Sequence, residues 1–156
     1  MRISVKCSSA VHILLMITVL SDSKKITSEF LASSVGCNPV DIRKLLSSLK
    51  KAGLIDIPRG TGGATLKRAP KDITLLDIYS AVDSTSLNEL IGVHTHTEPR
   101  CLFGRNINRL LTGPYTQIGD AVRGTMSSIT LENLLMQLQE LEPEEHIIKK
   151  ENTGGN

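Results

Sequence analysis

The 156-residue chain has only 3 cysteines, an odd number, and none belongs to a Cys-x-x-Cys pair. That excludes a paired-thiol zinc module and a disulfide-stapled scaffold, and it fits a reducing cytoplasm. Neither a Gly-Lys-Ser/Thr ending nor a His-Glu-x-x-His or Gly-x-Ser-x-Gly motif is present, so the chain has no P-loop, metalloprotease helix or nucleophile elbow. We find no enzyme constellation. A membrane-length apolar run is missing as well: Ala10 to Leu20 is interrupted by His12 and falls short of the roughly 20 residues that a bilayer demands. Arg2 and Lys6 give this stretch a signal-like outline, yet Ser21-Asp22-Ser23 supplies no small-x-small cleavage pattern. It reads as a buried helix at the centre of a domain.

A large net charge is also absent, since the total is only +2. The total conceals an asymmetry. Residues 1–71 carry 12 Lys and Arg against 4 Asp and Glu, a net of +8, whereas residues 72–156 carry 6 against 12, a net of −6. A basic first half suits phosphate binding, and an acidic second half should stay off phosphates.

What is present centres on Thr27 to Leu66. Ser28 to Val35 reads as a short helix in which Ala32 is small enough for close crossing, and Gly36 can take the positive φ of a sharp turn. Asn38 then caps a second helix and Pro39 suits its first turn. Along that helix Ile42, Leu45, Leu46 and Leu49 fall at i, i+3, i+4 and i+7, an apolar stripe directed at a core. Val40, Arg43, Lys44, Ser47 and Lys51 therefore cluster on the opposite, basic face. On its own such a face could simply be solvated. The turn, the cap and the following hairpin together demand a helix-turn-helix whose second helix reads a DNA groove.

The hairpin candidates are Leu54 to Ile57 and Ala64 to Leu66, around Pro58-Arg59-Gly60-Thr61-Gly62-Gly63. A glycine-rich loop could instead cradle a nucleotide phosphate, but no helix follows it directly. A wing with Arg59 at its tip, reaching into a minor groove or onto phosphates, uses the residues better. Lys67, Arg68 and Lys71 add positive charge at its base.

These same residues carry a family resemblance. Thr27-Ser-Glu-Phe-Leu-Ala, Ile42-Arg-Lys-Leu-Leu, Lys51-Ala-Gly-Leu54, Arg59-Gly-Thr-Gly-Gly63 and Ile73-Thr-Leu-Leu-Asp-Ile78 resemble the Rrf-two family of bacterial winged-helix transcription regulators, from Met1-Arg2 to about Asp83. The resemblance implies recognition-helix contacts from Asn38, Pro39, Val40, Arg43, Lys44 and Ser47, and wing contacts from Arg59, Gly60, Thr61 and Gly62. Ser28, at the start of the preceding helix, is a phosphate-contact candidate. The chain departs from the family pattern at Val11, Asp41 and Ala64, where an aromatic is usual. Cluster-binding members place three cysteines in the region that here holds only Cys101, while Cys7 lies in the first helix and Cys37 in the turn. That argues against an iron–sulfur cluster, and no cofactor is assigned.

Beyond the wing, Thr74 with Asp77 reads as a capping-box variant opening a helix to Ala81 or Val82, and the phrase recurs as Ile129-Thr-Leu-Glu-Asn133. We take the recurrence as repeated capping chemistry, since one short match does not establish a structural repeat. Ser84 to Gly113 is poorly legible. Its His94, His96 and Cys101 are a conceivable soft metal set, set against polar loop histidines and an unligated thiol. Arg100 and Arg105 would favour a Cys101 thiolate, which makes Cys101 a candidate redox sensor. From Pro114 to about Ile129 the pattern is helical again, with Ile118, Ala121, Val122, Met126 and Ile129 near one face and Gly119 and Gly124 permitting close approach. A helix appended to a small domain buries such a stripe most economically against a second copy, which makes Ile118, Val122, Met126 and Ile129 the dimerisation residues, with packing back on its own domain as the alternative. Thr130 caps a last helix through Leu134, Leu135, Leu138 and Leu141.

The sequence thus predicts a mainly α chain with a small β-hairpin: a winged helix-turn-helix domain over 1–83, a linking loop and dimerisation helices over 84–141, and a disordered tail over 142–156. Its predicted function is that of a cytoplasmic, homodimeric, sequence-specific regulator of transcription, a repressor, with double-stranded DNA as partner and no membrane role. Two alternatives remain: a thiol- or metal-responsive sensor built on Cys101, His94 and His96, and a winged-helix protein-interaction adaptor.

Overall fold

A helix with apolar residues on several sides must be covered on several sides. Helix α1 (Val5–Leu20) meets that demand at the centre of the molecule, with Cys7, Ala10, Ile13, Leu14 and Ile17 buried. The computed structural model describes residues 5–60, 63–145 and 147. Around α1 stand α2 (Ser28–Val35), α3 (Pro39–Lys51), α4 (Leu75–Val82), the antiparallel pair β1 (Ile55–Asp56) and β2 (Thr65–Leu66), and the closing helix α6 (Leu131–Leu141). A longer helix, α5 (Ile107–Ser128), leads into α6.

Local chemistry sets the boundaries of the helix-turn-helix. Thr27 caps α2 by accepting from Phe30 N at 3.2 Å, and the left-handed Gly36, at φ +73°, ends it by donating to the Ala32 carbonyl at 2.9 Å. Asn38 Oδ1 then accepts from Val40 N at 2.8 Å, with Pro39 opening α3. The stripe Ile42, Leu45, Leu46 and Leu49 is buried as its spacing requires. The strands are shorter than the apolar pattern suggests, with Ile55 opposite Leu66 and Asp56 opposite Thr65.

The two Ile-Thr-Leu phrases prove to be more than repeated capping. Both form full capping boxes, Thr74 with Asp77 and Thr130 with Asn133. They also face each other. Leu75 N donates to the Ile129 carbonyl at 2.9 Å and Leu131 N to the Ile73 carbonyl at 2.8 Å, an antiparallel bridge between Thr74 and Thr130. This stitch fastens α6 beside α1 and the 3₁₀ turn Pro70–Asp72. One continuous apolar cluster consequently runs from Cys7 to Leu131, and position 83 marks no break in it.

Helix α5 corrects two expectations. It begins at Ile107, seven residues before the proline taken to open it, and carries Pro114 inside. Proline withholds the N–H that the Leu110 carbonyl would have accepted. Neighbouring turns are reinforced by Thr112 Oγ1 donating to Asn108 O and Thr116 Oγ1 to Thr112 O, both at 2.8 Å. Secondly, the dimerisation stripe is divided. Met126 is only 9% exposed and sits in the chain's own core, with Val122 packed beside it. The reason is Gly119: an added Cβ would lie 3.1 Å from the Leu87 carbonyl, so glycine lets α5 close onto the 3₁₀ turn Leu87–Glu89 and past it onto α4. Ile118 stays 40% exposed, and Leu110, one helical half further from the core, is 66% exposed.

Candidate nucleic-acid interface

With its apolar stripe buried, α3 turns Val40, Arg43, Lys44 and Ser47 to solvent, beside the exposed Asn38 and the half-buried Pro39. Val40 is 49% exposed. Ser28, Arg43, Ser47 and Lys50 line one side of an open groove of about 400 Å³, whose other wall is Ile57 and Ala64 of the hairpin. Lys50 Nζ bonds the Ile57 carbonyl at 3.3 Å and approaches Asp56 at 4.0 Å, which links α3 to the base of the wing. Sequence reading assigned Lys50 no role.

Arg59 and Gly60 are exposed at the wing, Gly60 at φ +82°. Thr61 and Gly62, the other two wing residues of interest, lie outside the described residues. Arg68 does not join this face. Its guanidinium donates to the Asp72 carbonyl and to Asp77 Oδ2 at 3.4 Å, so it braces the α4 cap.

Arg43 and Lys44, on the reading face of α3, both have acidic partners. Lys44 Nζ stands 3.2 Å from Asp41, and Arg43 donates to Glu29 Oε1 at 2.6 Å. Glu29 also accepts from Ser28 Oγ at 3.1 Å. Its own backbone N–H, the Arg43 guanidinium and the Ser28 hydroxyl hold its carboxyl below the usual range. Sequence reading missed this residue, although it is one of only 4 acids in the first 71 residues.

The proposed sensor residues do not converge. His94, His96 and Cys101 are all exposed, and among the described residues no three His, Cys, Asp or Glu side chains stand together to hold a metal ion. Cys7 is buried in α1, and Cys37 is half-buried in the turn before α3. Burial, reinforced by Asp83, pushes the Cys7 thiol up, while burial, then Asp83 and Cys7, raises Tyr79.

A helix-turn-helix whose outer face is basic, with a hairpin that forms the far wall of its groove and carries the exposed Arg59, defines a winged-helix DNA-binding module. The wider chain agrees: residues 3–137 match the Rrf2 family, described as "Iron-dependent Transcriptional regulator". The chain belongs to the Rrf2 family of DNA-binding transcription regulators, a non-enzyme family. It is 35% identical over 136 residues to YwnA of Bacillus subtilis (strain 168), named as an HTH-type transcriptional regulator, spanning 87% of this chain and 98% of the relative. Among solved structures it resembles a transcriptional regulator from Lactobacillus plantarum, with TM-score 0.71, 28% identity, and 90% and 99% of the two chains covered. It also resembles CymR (YrzC), the global cysteine regulator of B. subtilis, with TM-score 0.63, 26% identity, and 86% and 95% covered. The family description names iron, but the three thiols here lie on three separate segments. Among the described residues they do not converge on one site.

Proposed function

We propose that the protein is a homodimeric, sequence-specific repressor that acts in the cytoplasm without an iron–sulfur cluster. The observation that carries this reading is the shared groove, where the solvent face of α3 and the braced hairpin converge. In the reading, α3 enters the major groove. Arg43 and Lys44 offer donors to guanine O6 and N7, and the exposed Val40 offers an apolar contact to a thymine methyl. Asn38 and Pro39 bring the start of the helix close to the bases, Ser47 bonds a phosphate oxygen through its hydroxyl, and Ser28, whose hydroxyl serves Glu29, meets phosphate through its backbone N–H at the start of α2. Arg59 and Gly60, with Thr61 and Gly62, follow the minor groove or its phosphates. A second copy is supported by the exposed Leu110 and Ile118 on α5 and by Phe103 before it, 77% exposed, which would otherwise leave apolar surface in water. Repression needs only occupancy of a site. No small-molecule effector is assigned.

The test is equilibrium binding to duplex DNA across a salt series. A dimer making about 6 to 10 phosphate contacts gives a logarithmic slope on the order of −5 to −9. A flat response would leave the adaptor reading in its place.

A further inference from the structure

A carboxylate on a surface meant for phosphates is a cost unless it does something there. Glu29 stands on the first turn of α2, and its Oε1 receives Arg43 from α3 at 2.6 Å across 14 residues of sequence. Two ordinary explanations cover only part of this. An acid suits the first turn of a helix, but that needs no arginine. An exposed ion pair contributes little to stability, and both side chains here are more than half exposed. The pair therefore has little to do for the fold.

Its consequence for binding is larger. Arg43 meets Glu29 through Nη2 and keeps its other donors; a phosphate approaching them is repelled by the carboxylate already there, whereas an uncharged base edge is not. A guanine edge offers two acceptors, O6 and N7, in the fork geometry that arginine matches bidentately. Ser28 Oγ, at 3.1 Å from Oε2, fixes the other oxygen of Glu29 and with it the direction from which Arg43 is presented. Lys44, similarly engaged by Asp41 within the same helix, is restrained in the same sense.

We propose that Glu29 is a specificity-determining positioning residue, which withholds Arg43 from nonspecific phosphate contact and presents it to a guanine edge. The inference rests on the DNA-reading proposal above and deepens it. Its lesson is that the discriminating residue need not lie on the recognition helix.

The test is a selection from a randomised duplex library with wild-type protein, Glu29→Gln, Arg43→Ala and the double variant, each also titrated with a fixed nonspecific duplex. Wild type enriches a two-fold motif with a guanine in each half-site. Glu29→Gln binds the nonspecific duplex more tightly, relaxes that guanine, and lowers the specific-to-nonspecific ratio by about tenfold, within what one bidentate base contact carries. In the Arg43→Ala background the same Glu29 change leaves base preference unaltered. Thermal melting should be the same for all four proteins, since both positions are exposed; Arg43→Lys, which keeps the charge and loses the fork, supplies a second variant that also relaxes the guanine. An unchanged motif and ratio for Glu29→Gln overturns the proposal, as does an equal change in base preference without Arg43. Failure of wild type to enrich any motif removes the DNA-reading proposal itself, which is a different outcome.

Discussion

Arg43 and Arg59 stand on different elements yet face the same DNA in the proposed mode, so each should matter alone. Alanine at either position is expected to cost about 1 to 3 kcal/mol in binding to the selected site. Fluorescence anisotropy would measure this, and unchanged affinity for both variants would sink the assignment of the face. Cys7 supports a prediction of a different kind. Its thiol is raised above the ordinary value of 9.0, and Tyr79 is raised from its own 10.0. A raised acid favours the fold while protonated; its stabilisation is complete below the unfolded value and is lost as pH climbs toward the folded one. Urea denaturation should therefore show stability falling from about pH 9 upward, with Cys7→Ala flattening part of that decline and Tyr79 retaining the rest. Alkylation followed by mass spectrometry should mark the exposed Cys101 well before the buried Cys7. These residue-level properties were unevenly legible. The outward face of α3 followed from the spacing of Ile42, Leu45, Leu46 and Leu49, because periodicity within one helix is local information. The Arg43–Glu29 bond joins two helices, and its partner is visible only once they are packed.

At the scale of elements, caps and turns were the most readable features. Thr27, Gly36, Asn38, Pro39 and Thr74 each act within four residues of their partners, and each acts as its chemistry suggests. Helix α5 was harder. Proline usually marks a helix start, yet here the helix passes through Pro114, and the residues before it carried no clear period. The apolar stripe was read correctly as apolar. Which core it would enter was not legible, because that depends on how closely Gly119 lets α5 approach the Leu87 carbonyl. The structure makes the two halves of α5 separable by experiment. Met126→Ala should destabilise the folded chain by about 2 to 5 kcal/mol, as deletion of a buried side chain does. Leu110→Glu should convert a dimer to a monomer in sedimentation analysis while the chain stays folded, its melting temperature losing its dependence on protein concentration. If Leu110→Glu sediments as wild type does, the amino-terminal half of α5 is not the interface.

The whole molecule places a charge-biased, groove-forming face at one end of a single core. The Thr74–Thr130 stitch ties the closing helix α6 into that core. Because no boundary interrupts the apolar cluster at position 83, α4 lies against both α3 and α5. A displacement of α5 by a second copy would thus be felt at the recognition helix through one intervening layer. Among the described residues no three His, Cys, Asp or Glu side chains stand together to meet the iron that the family's description names. In the proposed mode two copies present α3 and the wing to one duplex. Hydroxyl-radical footprinting of a fragment selected from a genomic library measures that arrangement most directly. The account predicts two protected patches related by two-fold symmetry, with half-sites about 34 to 36 Å or a multiple apart, and loss of both when Arg43 and Arg59 are replaced together by alanine. A single unsymmetrical patch, or protection that survives the double replacement, would contradict it.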